Sequence, residues 1–113
     1  MTEIAPAPPA RFEDFNLSPT MMDALREAAY EYPTEIQAGL LPLALDGRDV
    51  LGQARTGTGK TASFVIPILE QLAPHKEIAG PQALIMVPTR ELAVQVREEV
   101  VKLAFGRKIH CVA

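Results

Sequence analysis

Cysteine and long apolar runs are scarce or absent in this sequence, and each absence excludes a class of protein. The single cysteine, Cys111, cannot form an internal disulfide, which excludes a small secreted domain held together by disulfides. No apolar run approaches the roughly 20 residues needed to cross a bilayer, and the start of the chain lacks the charged-then-apolar order of a signal peptide. We therefore expect a cytoplasmic protein that does not associate with a membrane.

An excess of positive charge is also missing. The formal net charge is −3 and the sequence pI is about 5.3, so the chain as a whole does not attract nucleic acid or anionic lipid. Any binding of nucleic acid must therefore depend on a local group of residues. The composition that is present, 48% hydrophobic and 22% charged residues among 113, is that of a soluble globular domain with one core.

The most informative run spans residues 54–61 and has the form A-x-x-x-x-G-K-T. Its members are Ala54, Arg55, Thr56, Gly57, Thr58, Gly59, Lys60 and Thr61. Small residues in such a loop let backbone N–H groups close around phosphate oxygens. Lys60 is then expected to reach the β- and γ-phosphates of ATP and the Thr61 hydroxyl to hold Mg²⁺, which makes them the predicted catalytic residues. The alternative is a glycine-rich turn that matches by chance.

Start and stop signals predict four helices along the chain. Ser18 and Pro19 begin the first, which runs to Ala29, and Thr34 caps the second. Pro42 is expected to kink or restart that second helix, and Gly47 to end it. The third spans residues 60–72, and the fourth is capped by Thr89, runs through Leu103 and closes at Gly106.

Short apolar runs predict buried strands at residues 49–51, 83–87 and 108–113. Strands and helices alternate from residue 49 onward, which predicts an α/β fold with a parallel sheet and helices on both of its faces. The nucleotide is expected at the carboxyl end of the first strand. Residues 12–113 form this domain, and residues 1–11 are predicted to be a disordered Pro/Ala-rich leader.

Three segments in this order resemble the motifs of the DEAD-box ATP-dependent RNA helicases. Residues 29–37, A-Y-E-Y-P-T-E-I-Q, resemble the family's Q motif, with Phe12 as its upstream aromatic residue. Residues 54–61 resemble its motif I, and residues 88–93, P-T-R-E-L-A, its motif Ia. The resemblance implies the N-terminal portion of a three-layer, RecA-like P-loop NTPase domain.

The resemblance also implies ATP, Mg²⁺ and single-stranded RNA as ligands. The D-E-A-D and S-A-T motifs of the family do not occur in this sequence, and neither does a second RecA-like domain. Phosphoryl transfer needs acidic and arginine groups that those parts supply in the family. We therefore expect a fragment of a longer helicase that, on its own, hydrolyses ATP negligibly.

Residues of the Q motif are expected to bind the adenine base. The carboxamide of Gln37 can donate to and accept from adenine, and Tyr30 offers a ring on which the base can stack, with Phe12 packed behind it. Taken singly, Gln37 could be an exposed helix residue, and Tyr30 and Phe12 could serve ordinary packing. The family usually has glycine where this chain has Ala29, so a left-handed backbone there would cost roughly 1 kcal/mol unless the helix continues one residue further.

Motif Ia is expected to bind the RNA backbone without reading its bases, through Pro88, Thr89 and Arg90. A basic residue in the first turn of a helix is unfavourable unless an anion is near, and an RNA phosphate would supply that anion. The alternative is that Arg90 pairs with Glu91 or another carboxylate. Farther along the helix, side chains predicted to be buried are Leu92, Val96 and Val100, and those predicted to be solvated are Glu98, Glu99 and Lys102.

Two other classes of protein stay open at this point. A different P-loop enzyme, such as a small-molecule kinase, would share the phosphate loop but would not need residues 88–93. A non-catalytic module would bind nucleotide or RNA without turnover.

Overall fold

The computed structural model describes residues 11–53, 59–73 and 79–113. Within them lie a 3-10 turn at Phe12–Phe15 and four α-helices. The helices are α1 (Pro19–Glu27), α2 (Glu35–Leu45), α3 (Lys60–Gln71) and α4 (Arg90–Leu103). All four predicted helices are thus confirmed. The predicted leader lies outside the described residues except for Arg11.

Three of the four helices begin at a hydroxyl side chain, as predicted. Ser18 Oγ accepts a hydrogen bond from Met21 N at 3.1 Å in α1, and Thr34 Oγ1 accepts one from Gln37 N at 3.3 Å in α2. In α4, Thr89 Oγ1 accepts one from Leu92 N at 3.1 Å. Each cap satisfies a backbone donor that a helix leaves unpaired and contributes about 1 kcal/mol.

Proline does not restart α2. The helix continues through Pro42 as one element, so of the predicted kink or restart the restart is excluded. Proline has no N–H, so the carbonyl of Ala38, four residues earlier, receives no helical hydrogen bond from it. Gly47 follows the helix with a φ of 82°, as its predicted role in ending α2 requires.

The core lies between the helices, with α3 packed against both α2 and α4, and α1 packed against α4. Its largest buried apolar side chains are Phe12, Met21, Leu25, Leu41, Val65, Ile66, Leu69 and Leu103. Val96 and Val100 of α4 are also buried, as predicted, and Leu92 is half-buried. Among the described residues, no helix is long and apolar enough to traverse a lipid bilayer.

The predicted sheet is not confirmed, because the described residues contain no strand. A strand is defined by its hydrogen-bonded ladder, and none of the three apolar segments forms one there. Burial of residues 49–51 and full burial of residues 83–87 were also wrong predictions. Leu51 is 98% exposed, Leu84 84% and Met86 86%.

The apolar segments nevertheless alternate in burial. Ile85 and Val87 pack against the core, whereas Leu84 and Met86 between them face outward. Ile109 and Cys111 pack against the core in the same way, and Val112 is exposed. A period of two is the pattern of extended chain with one covered face.

A polar cluster joins three parts of the fold. The Glu70 carboxylate near the end of α3 accepts hydrogen bonds from Ser18 N at 2.8 Å and Ser18 Oγ at 2.7 Å. It also forms an ion pair with Arg107, whose Nη1 donates to Leu69 O at 2.7 Å. We call Ser18, Glu70 and Arg107 the Glu70 cluster. It holds the start of α1 and the segment after α4 against the end of α3.

Candidate nucleotide-binding site

The N-terminus of α3 differs from those of the other three helices. Its N-cap is Gly59, which has a left-handed backbone with φ of 79° and no side chain that could accept a hydrogen bond. The first N–H groups of α3 are therefore without a side-chain cap, at the helix end where the dipole favours an anion. Lys60 is exposed in this first turn and Thr61 is half-buried. A phosphate at this helix end would meet N–H donors, a cation and a hydroxyl, and its binding there stays a prediction.

Five of the predicted ATP-binding residues belong to the loop just before Gly59. Ala54, Arg55, Thr56, Gly57 and Thr58 lie outside the described residues. Their predicted contacts with phosphate stay predictions.

Gln37 contacts Gly59 of the predicted phosphate loop. Its side chain is buried, with the residue only 2% exposed, and Nε2 donates to Gly59 O at 3.1 Å. Oε1 accepts from Thr34 N at 2.9 Å, which completes a capping box at the start of α2. An exposed helix position is therefore excluded for Gln37. The amide keeps one N–H and one lone pair beyond these two bonds, which are the groups that adenine would need.

Glycine is required at position 59 by this contact as well as by the backbone. A Cβ atom there would lie 2.5 Å from Gln37 Nε2 and 2.9 Å from Thr34 Cγ2. A side chain would therefore displace the Gln37 carboxamide or the Thr34 side chain and break the contact between Gln37 and Gly59. The positive φ adds a second reason, because only glycine adopts it without strain.

Tyr30 and Phe12 also lie together, as predicted. Their ring centroids are 6.3 Å apart with an interplanar angle of 44°, and Phe12 is only 2% exposed. Burial of this kind fits a residue packed behind Tyr30 and leaves almost no surface of Phe12 for a base. Tyr30 is half-buried, and its stacking on adenine stays a prediction.

Glu99 is a contact of this region that the sequence analysis missed. The Tyr30 hydroxyl donates a hydrogen bond to Glu99 Oε1, so the prediction that Glu99 is solvated was wrong. Its side chain is 17% exposed, whereas Glu98 and Lys102 are exposed as predicted. Glu99 stands three residues after Val96 and four before Leu103, which places it on the buried side of α4. That spacing could have indicated the burial of Glu99, but not that Tyr30 is its partner.

The residues of motif Ia lie at the start of α4. Pro88, Thr89 and Arg90 are all exposed, and Thr89 caps the helix. Within the part of the chain that the structure describes, Arg90 forms no ion pair with Glu91 or any other carboxylate. The alternative of a structural ion pair therefore has no support there, and binding of RNA by these residues stays a prediction.

Comparison with known proteins agrees with this arrangement. The family model described as DEAD/DEAH box helicase matches residues 34–113. The chain belongs to the DEAD/DEAH box helicase family. It is 51% identical over 97 residues to the DEAD-box ATP-dependent RNA helicase CshA of Bacillus subtilis, covering 86% of this chain and 19% of the relative. The chain thus spans about a fifth of the length of that helicase.

Solved structures of helicases share the fold. A DEAD box protein of the hyperthermophile Methanococcus jannaschii superimposes with a TM-score of 0.81 at 41% identity, covering 88% of this chain and 27% of that one. Dbp5 of S. cerevisiae, bound to RNA and ADP BeF3, gives a TM-score of 0.76 at 36% identity, covering 82% of this chain and 24% of that one. The described helices therefore have the arrangement found in DEAD-box proteins.

A metal site built wholly from protein side chains is not found in residues 11–53, 59–73 and 79–113, where no group of three His, Cys, Asp or Glu residues could hold an ion. The hydroxyl of Thr61 beside the uncapped turn of α3 fits a different kind of site. There, magnesium binds through one protein oxygen together with phosphate oxygens. The residues present thus fit Mg²⁺ that arrives with a nucleotide.

Proposed function

We propose that this chain is the ATP-binding part of an ATP-dependent RNA helicase. The observation that carries the proposal is the bond from Gln37 Nε2 to Gly59 O at 3.1 Å. It joins the residue expected to read adenine to the loop expected to hold the phosphates. A small-molecule kinase has no need of this link or of residues 88–93.

Residues 54–61 surround the phosphates of ATP in this proposal, with main-chain N–H groups as the donors. Lys60 places a positive charge on the β- and γ-phosphates, and Thr61 holds Mg²⁺. When bound, Mg²⁺ neutralises phosphate charge. Gln37 recognises the adenine base by hydrogen bonds, and Tyr30 stacks on it with Phe12 behind the ring.

RNA is bound at the start of α4. Thr89, Pro88 and the exposed Arg90 form a local positive site in a chain whose net charge is negative. A backbone phosphate would be held by Arg90 and the helix dipole, and no base would be read. Binding is therefore independent of RNA sequence.

The fold proposed for the complete domain is the three-layer RecA-like architecture with a parallel sheet. The alternating burial at residues 84–87 and 109–112 supports it, since each segment already presents one face to the core. Pairing of these segments as strands would place the helices of this chain on one side of the sheet. The second face would accept further helices.

Unwinding of RNA duplexes or remodelling of RNA–protein complexes is proposed for the whole protein, together with a second RecA-like domain. These 113 residues contain no D-E-A-D run that could hold the metal and orient water. By themselves they are proposed to bind ATP with negligible turnover. RNA-stimulated hydrolysis by the 113-residue chain would contradict this.

The phosphate-binding role is tested by Lys60→Ala. Removal of a charge-assisted contact is expected to weaken Mg-ATP binding by at least about tenfold. Adenosine binding should change little, because adenosine lacks the phosphates that Lys60 contacts. Isothermal titration calorimetry of both ligands measures the difference, and equal losses for ATP and adenosine would contradict the assignment of residues 54–61.

The adenine-reading role is tested by Gln37→Ala. We expect the preference for ATP over GTP to fall by about tenfold, the value of one or two lost hydrogen bonds. The ratio of two affinities in one variant cancels most effects of altered stability. Gln95→Ala, which changes an exposed glutamine of α4, is the matched control. An unchanged ATP to GTP ratio in Gln37→Ala would remove this role.

A further inference from the structure

The hydrogen bond between Tyr30 and Glu99 joins residues that are 69 positions apart in the sequence. Both carboxylate oxygens of Glu99 have a partner, since Oε1 accepts from the Tyr30 hydroxyl and Oε2 lies 3.3 Å from Lys102 Nζ. The Glu99 side chain is 17% exposed and that of Lys102 51%. A bond from a hydroxyl to an ionised carboxylate is roughly twice as strong as one between neutral groups.

Tyr30 makes three contacts that hold it in the fold. Its backbone N donates to Leu25 O at 2.8 Å, its ring lies against Phe12, and its hydroxyl is held by Glu99. A tyrosine ring is placed by two side-chain torsions. The bond from the hydroxyl to Glu99 restricts the first torsion, which sets where the ring lies, and the contact with the Phe12 ring limits rotation about the second. A ring fixed before a ligand arrives loses little conformational entropy when the ligand binds.

We propose that Glu99 of α4 is a positioning residue for the nucleotide site, which holds the Tyr30 ring at the place from which it stacks on the base. The inference rests on the proposed function, because it assigns Glu99 to the base-binding side of that same site. Glu99 does not contact the nucleotide. It acts through the phenol hydroxyl alone.

This role differs from simple packing in what it predicts. A bond that only stabilises the fold would lower the melting temperature without changing which ligand is preferred. A bond that orients the ring changes the affinity for ligands that carry a base and leaves the affinity for a bare polyphosphate unchanged. The comparison of ATP with tripolyphosphate therefore separates the two roles.

The experiment uses the full chain, four single variants and one double variant. Tyr30→Phe keeps the ring and removes the hydroxyl, and Glu99→Ala removes the acceptor. Glu99→Gln keeps an acceptor oxygen. Glu98→Ala removes the neighbouring exposed carboxylate and is the matched control. Titration calorimetry gives the affinities for Mg-ATP and Mg-tripolyphosphate below the melting temperature of each variant.

We expect Tyr30→Phe and Glu99→Ala each to weaken Mg-ATP binding by about three- to tenfold, the range for one lost hydrogen bond. Tripolyphosphate affinity should be unchanged in both. Glu99→Gln should retain most of the ATP affinity, and Glu98→Ala all of it. The double variant of Tyr30→Phe and Glu99→Ala should be no weaker than either single variant, because both remove the same bond.

Three results would overturn the inference, and they distinguish its failure from that of the proposed function. If the unmodified chain binds Mg-ATP and all variants bind it equally well, the positioning role fails while the proposed function stands. The same conclusion follows if ATP and tripolyphosphate lose affinity in parallel. If the unmodified chain binds no Mg-ATP, the proposed nucleotide site fails, and the inference fails with it.

Discussion

Ala29 is the residue at which this chain departs most from its family resemblance. The backbone there is left-handed, with φ of 61°, directly after α1. Ala29 N donates to Arg26 O at 3.0 Å, and Tyr30 N donates to Leu25 O at 2.8 Å. These two bonds form the turn that ends α1. The turn therefore requires a positive φ, and the alternative that the helix continues is wrong. Alanine tolerates this conformation only with strain.

Ala29→Gly is expected to stabilise the chain. Relief of the strain outweighs the added freedom of glycine in the unfolded state, and the net gain in free energy of unfolding is about 0.5 to 1 kcal/mol. Urea unfolding followed by circular dichroism measures it. Ala28→Gly is the control, because Ala28 has an ordinary φ of −83° and gains nothing from glycine. A loss of stability in Ala29→Gly would contradict the strained turn.

The elements of this fold are held by polar contacts at their ends as well as by the core. The Glu70 cluster joins the start of α1, the end of α3 and Arg107 after α4. Burial by itself raises the pKa of Glu70, but the two hydrogen bonds from Ser18 and the ion pair with Arg107 outweigh it and hold that pKa below its ordinary value of 4.5. The folded chain therefore favours the ionised carboxylate.

The lowered pKa predicts how stability depends on pH. Unfolded chains bind a proton at Glu70 more readily than folded ones. The contribution of ionised Glu70 to the free energy of unfolding is therefore present above pH 4.5 and is lost as the pH falls through and below that value. We expect Glu70→Gln to be less stable than the unmodified chain at pH 7, with the difference shrinking below pH 4.5. Urea unfolding at several pH values measures this difference.

Glu98→Gln is the control for the Glu70 experiment. It removes a carboxylate from the exposed side of α4 and leaves the Glu70 cluster intact. Its effect on the free energy of unfolding should be small at every pH tested. A constant difference between Glu70→Gln and the unmodified chain over this range would show that ionisation of Glu70 does not stabilise the fold.

At the scale of the whole molecule, the exposed apolar side chains need explanation. Leu51, Leu84, Met86 and Val112 all stand on segments that the sequence predicts as strands. Ile85 and Val87 pack against the core on one side of residues 84–87, and the other side, with Leu84 and Met86, has no cover within the described residues. Exposed apolar patches of this kind drive association.

Leu84→Thr with Met86→Thr is expected to reduce binding of the hydrophobic dye ANS and to reduce self-association. Threonine keeps the tendency to form extended backbone and removes apolar surface. Since both residues are more than 80% exposed, the melting temperature should change little. Sedimentation velocity over a range of concentrations measures association.

Ile85→Thr is the matched change on the covered side. It places a hydroxyl against the core and should lower the free energy of unfolding by about 1 to 3 kcal/mol. It should not reduce dye binding. If Leu84→Thr with Met86→Thr destabilised the chain as much as Ile85→Thr, the assignment of Ile85 to the covered side and of Leu84 and Met86 to the exposed side would be wrong.

The sequence alone determined the local features of this protein. Ser18, Thr34 and Thr89 cap helices because a hydroxyl before a helical run bonds to backbone only three residues away. The sequence alone also identified the predicted phosphate loop, the Q motif and motif Ia, since each is a short contiguous segment of residues. Family membership followed from those runs.

Only the tertiary structure decided contacts between residues far apart in the chain. The bonds from Gln37 to Gly59, from Tyr30 to Glu99 and from Ser18 to Glu70 depend on how helices pack, and no local spacing encodes them. Burial of the apolar segments was mispredicted for the same reason. An apolar run shows that a segment can be covered, but the neighbours that cover it are set by packing across the whole fold.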